Sequence, residues 1–231
     1  VAELWAEAGG SLRGHVVERD AGAGRPRGPR WSSELLTPVA EVLREMNKTS
    51  NNEAARSVML SLAGSASARS AERPTGRASA KAGIAADSTR LGAALKTAQE
   101  RMRDWLRGQG LRDGDITVVV GSGQSRAERG KPRALVELLC NAWRGGSSQT
   151  LVDSLPIAGV DGTLVHRMTH GPAAGQAYLK TGTLSDTRAL AGYVRARSGR
   201  VYAVSLIVTD PDAAKATPAL DSMVEWIAKA G

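Results

Sequence analysis

The chain has 231 residues and a mass of 24.2 kDa, with 42% apolar and 23% charged residues, which suits one globular domain or a large part of one. Its 31 basic and 23 acidic residues leave a net charge of +8, so the surface favours anionic partners. No apolar stretch is long enough to cross a bilayer. Cys140 is the single cysteine, which excludes an internal disulfide.

The first half of the chain has mostly helical patterns. Apolar residues at helical spacing predict a helix over 31–48, and a second helix follows over 53–62. Residues 64–87 are rich in Ala, Ser, Gly and Arg with almost no large apolar residue, so we predict a flexible surface insertion there. A third helix is predicted over 88–109, with polar residues suited to capping at its start.

The second half turns to strands. In chain order we predict a short buried strand entering a tight turn in ITVVVGSG (116–123), a helix over 132–143, a strand in QAYLKTGTL (176–184), strands in LAGYVRAR (190–197) and RVYAVSLIVT (200–209), and a helix over 211–230. Ser198 and Gly199 predict a two-residue hairpin turn between the last two strands. Helices followed by an antiparallel run and a final helix predict an α+β sandwich, with helices flanking one antiparallel sheet.

One predicted strand carries polar residues suited to an anionic peptide end. Alternation places Thr181 and Thr183 on one face and Lys180 and Gly182 on the other. Hydroxyls bind a carboxylate, an ammonium attracts it, glycine permits close approach of a backbone, and a strand edge pairs with an extended ligand. The alternative is a solvated lysine among ordinary strand threonines.

A second polar element lies on the predicted turn between the first two helices. In MNKTSNNEAARSVML, Ser50 and Asn52 stand where short side chains can point into a cleft. The alternative is helix capping, since Ser and Asn both favour N-cap positions. Taken together, Ser-x-Asn followed later by Lys-Thr-Gly matches two of the three motifs of penicillin-recognising serine enzymes.

Longer blocks carry the same resemblance: LREMNKTSNNEAARSVML, VVVGSGQSRAERGKPRALVELL, LPIAGVDGTL and LKTGTLSDTRALAGYVRARSGRVYAVSLIV. They resemble the C-terminal half of class C penicillin-binding proteins, the D-alanyl-D-alanine carboxypeptidases and endopeptidases of the bacterial periplasm. The resemblance covers nearly the whole chain apart from the insertion. It implies a penicillin-binding protein/β-lactamase-like transpeptidase fold, of which residues 1–231 form the C-terminal part of one domain. It also implies a periplasmic location.

The resemblance assigns roles to the motif residues. Ser50 relays protons between the catalytic lysine and the leaving amine, and Asn52 holds the substrate amide. Lys180 bonds toward Ser50 and attracts the terminal carboxylate. Thr181 and Thr183 bind that carboxylate, and the Thr183 N–H is one oxyanion donor. The implied partners are peptidoglycan stem peptides ending in D-Ala-D-Ala, with β-lactams as inhibitors and no metal or cofactor.

Two departures from the family pattern stand out. The family nucleophile and base come from a Ser-x-x-Lys helix, and no serine of this chain has lysine three positions later; Ser79 and Lys81 are two apart. Val120 stands where relatives with DGSGLS carry aspartate. Either further residues ahead of Val1 carry the nucleophile, or the protein has lost catalysis and only binds peptidoglycan or peptides. The start at Val1 and the lack of an export signal favour the first explanation.

Two other functional classes fit the sequence less well. The charge of +8 permits nucleic-acid binding, but aromatic residues make up 3% of the chain without any phenylalanine, and the basic residues are scattered. We expect no nucleic-acid partner. His166 and His170 are four apart, but no acidic or cysteine partner follows at a matching interval, so we expect no metal site.

Overall fold

The computed structural model describes residues 36–64, 80–146 and 148–231, together with Gly9 and Ser11. The helices are Val39–Thr49 (α1), Asn52–Ser61 (α2), Ala80–Gly108 (α3), Pro132–Arg144 (α4), Ser148–Ser154 (α5) and Thr217–Ala230 (α6). The strands are Ile116–Thr117 (β1), Arg129–Gly130 (β2), Ala177–Leu184 (β3), Thr187–Arg195 (β4) and Val201–Thr209 (β5). Short 3-10 helices lie at Gly162–Leu164 and Ala213–Ala216. Within these ranges no helix is both long and apolar enough to span a membrane.

The three long strands form one antiparallel sheet in the order β3–β4–β5. In its register Thr181 lies opposite Leu190, and Leu190 lies opposite Leu206. One face of the sheet packs against α6, and the main core lies between them: Ala158, Leu164, Met168, Ala173, Ala177, Leu179, Leu190, Val194, Val204, Leu220, Val224 and Ala228. The predicted α+β arrangement, an antiparallel sheet flanked by helices, is confirmed.

The opposite face of the sheet packs against α4. The ring of Tyr193 on β4 lies 5.1 Å from that of Trp143 on α4, and its hydroxyl donates to the Leu139 carbonyl at 2.8 Å. Burial raises the pKa of Tyr193 to about 12, so the hydroxyl remains a proton donor over the physiological range. The sheet is therefore covered by helices on both faces.

Gly192 lets β3 and β4 approach closely. Its φ is +151°, and a Cβ at this position would lie 2.1 Å from the Tyr178 carbonyl oxygen. Only glycine fits this combination of backbone conformation and contact.

The hairpin between β4 and β5 is confirmed, but its turn is longer than predicted. Ala196 N–H donates to the Arg200 carbonyl at 2.8 Å, and Gly199 N–H donates to the Ala196 carbonyl at 2.9 Å. The turn therefore includes Arg197 as well as Ser198 and Gly199. Gly199 has φ +84°, which is typical of a three-residue turn that ends on a left-handed glycine.

Several predicted helix boundaries were wrong. The first helix begins at Val39, because Pro38 occupies its N-cap with ψ 137° and the residue before a proline disfavours helical backbone. Residues 31–35 of the predicted helix lie outside the described part. α3 begins at Ala80, so residues 80–87 of the predicted insertion are helical, while 65–79 lie outside the described residues. The final helix begins at Thr217, with proline in its first turn.

The strand predicted to lead into the Gly-Ser-Gly turn is shorter and less buried than expected. Only Ile116–Thr117 is extended, paired with Arg129–Gly130. The next backbone N–H groups, from Val119 to Gly121, donate to the Glu128 carboxylate at 2.9 to 3.0 Å. A side chain thus takes the hydrogen bonds that a neighbouring strand would have made.

Candidate active site

The turn between α1 and α2 presents Ser50. Ser50 caps the C-terminus of α1 in left-handed backbone, with φ 54° and ψ 44°, which is uncommon for a residue other than glycine. The next residue, Asn51, caps α2: its Oδ1 accepts the Ala54 N–H at 3.0 Å. N-capping by a side chain thus explains Asn51. It does not account for the side chain of Ser50, or for that of Asn52, the first residue of α2.

Lys180 reaches this turn from β3. Its Nζ donates to Ser50 Oγ at 2.5 Å and to the Thr181 carbonyl at 3.1 Å. Burial lowers the pKa of Lys180, because desolvation disfavours the ammonium form. The two motifs singled out in the sequence therefore meet, and a serine hydroxyl contacts a lysine that gives up its proton more easily than a solvated one.

The outer edge of β3 is open beside this contact. Residues 156–158 pair with its first half, where Leu179 N–H donates to the Pro156 carbonyl at 2.9 Å. Alternation directs the backbone groups of Thr181 and Thr183 to the same edge. Among the described residues no strand pairs with the outer edge of this second half, whose other edge pairs with β4, and the Thr183 side chain is exposed. An extended ligand can pair here.

A further threonine, Thr163, lies in the same place. Its Oγ1 is 2.9 Å from Thr181 Oγ1, and its side chain is exposed. Sequence reasoning missed Thr163, since its only signal was its place in the block LPIAGVDGTL. The glycine at position 182 also has a structural explanation, because a Cβ there would lie 3.2 Å from the Ala189 Cβ on the neighbouring strand.

The Gly-Ser-Gly turn (121–123) packs on α2. Gly121 has φ +80°, and a Cβ there would lie 2.7 Å from the Met59 Cβ. Glu128 Oε1 holds the backbone leading into the turn, so a carboxylate lies beside the turn although Val120 supplies none. Ser122 Oγ and Glu128 Oε2 are buried without a hydrogen-bond partner among the described residues.

Arg126 links this loop to the end of the β3–β4 hairpin. Its guanidinium donates to Asp186 Oδ1 at 2.6 Å and to Ser185 Oγ at 2.9 Å. The hydrogen bond from Arg126 holds the pKa of Asp186 below its usual value. Neither partner was identified from the sequence.

His166 and His170, weighed as metal ligands, are both exposed and lie outside the α-helices. Over the described ranges, no group of three or more His, Cys, Asp or Glu side chains is arranged to hold a metal ion.

Comparison with known proteins gives several matches. The sequence model of the D-Ala-D-Ala carboxypeptidase 3 (S13) family matches residues 81–230. Carboxypeptidase DacB of Mycolicibacterium smegmatis is 33% identical over 202 residues, covering 83% of this chain and 39% of that protein. D-alanyl-D-alanine carboxypeptidase DacB of Haemophilus influenzae is 27% identical over 184 residues, covering 78% of this chain and 34% of that protein.

Solved structures show the same fold. Penicillin-binding protein 4 of Haemophilus influenzae, in complex with a β-lactam, superposes with a TM-score of 0.57 at 24% identity, over 89% of this chain and 42% of that one. The Bd3459 predatory endopeptidase of Bdellovibrio bacteriovorus superposes with a TM-score of 0.56 at 20% identity, over 80% and 42%. The chain thus spans well under half the length of these relatives.

The fold is that of the penicillin-binding proteins, an antiparallel sheet between helices. More narrowly, the chain belongs to the D-Ala-D-Ala carboxypeptidase 3 (S13) family, whose match covers 65% of its length (150 of 231 residues). The matched range includes Lys180 and Thr183 and begins after Ser50 and Asn52.

Proposed function

We propose that the chain forms part of a serine-type D-Ala-D-Ala carboxypeptidase/endopeptidase that acts on peptidoglycan stem peptides. Residues 1–231 are then the C-terminal part of one peptidase domain, working in the periplasm where its substrate lies. One observation carries the proposal: Lys180 Nζ contacts Ser50 Oγ at 2.5 Å beside an open strand edge. This brings a desolvated lysine, a hydroxyl and a peptide-pairing edge together.

The substrate peptide binds along the second half of β3. Its backbone pairs with the open edge, and its terminal carboxylate accepts hydrogen bonds from the hydroxyls of Thr181 and Thr183 while Lys180 supplies positive charge. The Asn52 side chain, which has no hydrogen bond to another described residue, holds a substrate amide. The Thr183 N–H faces the developing oxyanion; where such a donor is removed in other enzymes, the rate falls about 10²–10³-fold.

The reaction passes through an acyl-enzyme. A serine oxygen attacks the carbonyl of the penultimate D-Ala, the peptide C–N bond breaks, and the leaving amine takes a proton through Ser50, which Lys180 contacts. Water then hydrolyses the ester. A β-lactam presents its ring amide in place of the peptide and stops at the ester stage. The chain contains no Ser-x-x-Lys, so the attacking serine and its lysine come from residues outside these 231.

A fluorescent penicillin tests this proposal on two proteins: the 231-residue chain, and the same chain extended by whatever residues its gene encodes ahead of Val1. We expect covalent labelling of the extended protein and none of the shorter one. Labelling of the 231-residue chain would place the nucleophile within it and contradict the assignment. Absence of labelling in both proteins would overturn the proposed acyl-enzyme.

A second candidate is a catalytically inactive protein of the same fold that binds peptidoglycan or its peptides. The lack of Ser-x-x-Lys favours it. In that case the 231-residue chain binds a D-Ala-D-Ala peptide more tightly than its L-Ala-L-Ala counterpart by calorimetry, while penicillin labels neither protein. Equal binding of both peptides would remove this candidate.

A further inference from the structure

Lys48 lies two residues before Ser50 and makes a partly buried ion pair with Asp161, whose side chain is 35% exposed. Its Nζ donates to Asp161 Oδ1 at 2.8 Å, to Asp161 Oδ2 at 2.6 Å and to the Leu155 carbonyl at 2.7 Å. The Lys48 side chain is 12% exposed. Asp161 Oδ1 also accepts the Ile157 N–H at 2.9 Å. The ammonium therefore has two partners among the described residues, the Asp161 carboxylate and the Leu155 carbonyl.

The partners of Lys48 belong to residues 154–163, here called the connecting segment. A second bond ties it to α1, because Asn47 Nδ2 donates to Ser154 Oγ at 2.8 Å. Gly162 lets it approach, since a Cβ there would lie 2.8 Å from the Lys48 carbonyl oxygen.

The connecting segment also runs along β3, the strand that carries Lys180. Leu179 N–H donates to the Pro156 carbonyl at 2.9 Å, and Thr163 Oγ1 lies 2.9 Å from Thr181 Oγ1. One short segment therefore contacts both elements of the candidate site, α1 through Asn47 and Lys48 and β3 through Leu179 and Thr181.

We propose that Lys48 and Asp161 are positioning residues, whose ion pair holds the Ser50 turn against Lys180 by tying α1 to the connecting segment. Left-handed backbone is strained at a residue other than glycine and persists where its surroundings determine it. A buried ion pair adds little net stability over apolar residues of similar volume, and its best use is to select one geometry. Its role in catalysis rests on the proposed function, whereas its effect on the Ser50–Lys180 contact does not.

The test is the double variant Lys48→Met/Asp161→Asn of the 231-residue chain, which removes the ion pair without changing net charge. Two ligand-free readouts follow the Ser50 turn: the pKa of Lys180 from NMR titration of its side chain, and hydrogen exchange of the Asn51 amide, which donates to the Met46 carbonyl at 3.0 Å. We expect the Lys180 pKa to rise toward the ordinary lysine value as water enters. We expect Asn51 exchange about tenfold faster or more through local opening.

The matched control is Lys131→Met/Asp115→Asn. Lys131 Nζ contacts Asp115 Oδ1 at 2.8 Å, and Asp115 also accepts a backbone N–H, from Arg112 at 2.9 Å. This control loses a Lys–Asp pair elsewhere that is more exposed on its lysine side, since the Lys131 side chain is 66% exposed, and we expect both readouts to stay as in the wild type. An unchanged Lys180 pKa and Asn51 exchange in the Lys48/Asp161 double variant, whatever its melting temperature, would overturn the proposal.

Conservative variants decide the matter if that double variant does not fold. Lys48→Arg keeps the ion pair and is expected to preserve both readouts, whereas Lys48→Gln keeps polarity without charge and is expected to shift both. Identical readouts in these two variants would also overturn the positioning role. None of these measurements needs substrate or penicillin, so failure of the proposed function leaves them interpretable.

Discussion

The sheet region (155–231) and the helical region (36–64 and 80–146) are built differently. The main core, with twelve buried residues, lies entirely in the sheet region. Among its described residues the helical region has two small clusters, Met59 with Ala63 and Ala98, and Leu106 with Leu111 and Ala134.

This difference bears on the candidate site, which lies where the two regions meet. Lys180 belongs to a strand anchored in the main core, so packing determines its position. Ser50 belongs to the helical region and depends on specific polar contacts, among them the Lys48–Asp161 ion pair. Packing therefore positions the Lys180 side of the candidate site, whereas hydrogen bonds position the Ser50 side.

The difference in packing between the two regions can be tested by adding one methyl group in each. Gly192→Ala places a Cβ 2.1 Å from a backbone oxygen, and Gly121→Ala places one 2.7 Å from the Met59 Cβ. We expect Gly192→Ala to cost about 3 kcal/mol or more and Gly121→Ala about 1–3 kcal/mol, because overpacking against paired strands cannot relax. Urea unfolding measures both, and a smaller cost at Gly192 would contradict the ranking.

Truncation of core side chains should give effects of similar size. Leu190 is fully buried in the main core, and Met59 is 3% exposed in the smaller cluster. We expect Leu190→Ala to cost about 3–5 kcal/mol and Met59→Ala about 2–3 kcal/mol, since a thinner cluster collapses more easily around the lost side chain. An equal loss of unfolding free energy in the two variants would show that both regions are packed equally tightly.

Lys180→Met is expected to separate function from stability. Penicillin labelling of the extended protein should slow about 100-fold or more, since proton transfer and carboxylate binding are both lost. The pKa of Lys180 is lowered by burial, so between the folded pKa and 10.5 the unfolded state binds more protons and stability rises with pH. The Lys180→Met variant should not show this rise of stability with pH.

Lys229→Met is the control for that variant, because Lys229 is an exposed lysine on α6. It should keep both the labelling rate and the pH dependence, as measured by thermal unfolding across the alkaline range. A Lys180→Met protein that labels at the wild-type rate would exclude Lys180 from the site.

The smallest expected effect comes from the surface pair that joins the two regions. Arg126 and Asp186 side chains are 61% and 40% exposed, so Arg126→Gln should lower the melting temperature by no more than about 2 °C. The hydrogen bond from Arg126 lowers the pKa of Asp186. The stabilisation that the Arg126–Asp186 pair gives to the fold is therefore present above the ordinary Asp pKa, and it is lost as pH falls through the pKa of Asp186 in the folded protein. The variant and wild type should therefore melt alike in strong acid; a difference that persists there would assign the effect to packing.

Local patterns in the sequence predicted much of the fold. Runs of strand-forming residues identified β3, β4 and β5, with a turn signal between the last two, and helical spacing identified α2 and α4, because it reflects burial of one face. The boundaries that failed depended on contacts elsewhere in the chain. The Glu128 carboxylate replaced strand pairing after Ile116–Thr117, and α3 extended back to Ala80 through a sequence poor in large apolar residues.

The motif residues of the candidate site were named from residue types and order, and the structure brings Lys180 into contact with Ser50 across 130 residues of sequence. Local sequence patterns could not predict that contact. They also could not predict the neighbouring contact of Thr163 or the Lys48–Asp161 ion pair. The side chains are held by segments that become neighbours only when the whole chain packs. Sequence alone determined which chemical groups are present and which elements carry them. The tertiary structure decided which of them touch, because distances between remote residues depend on the packing of everything between them.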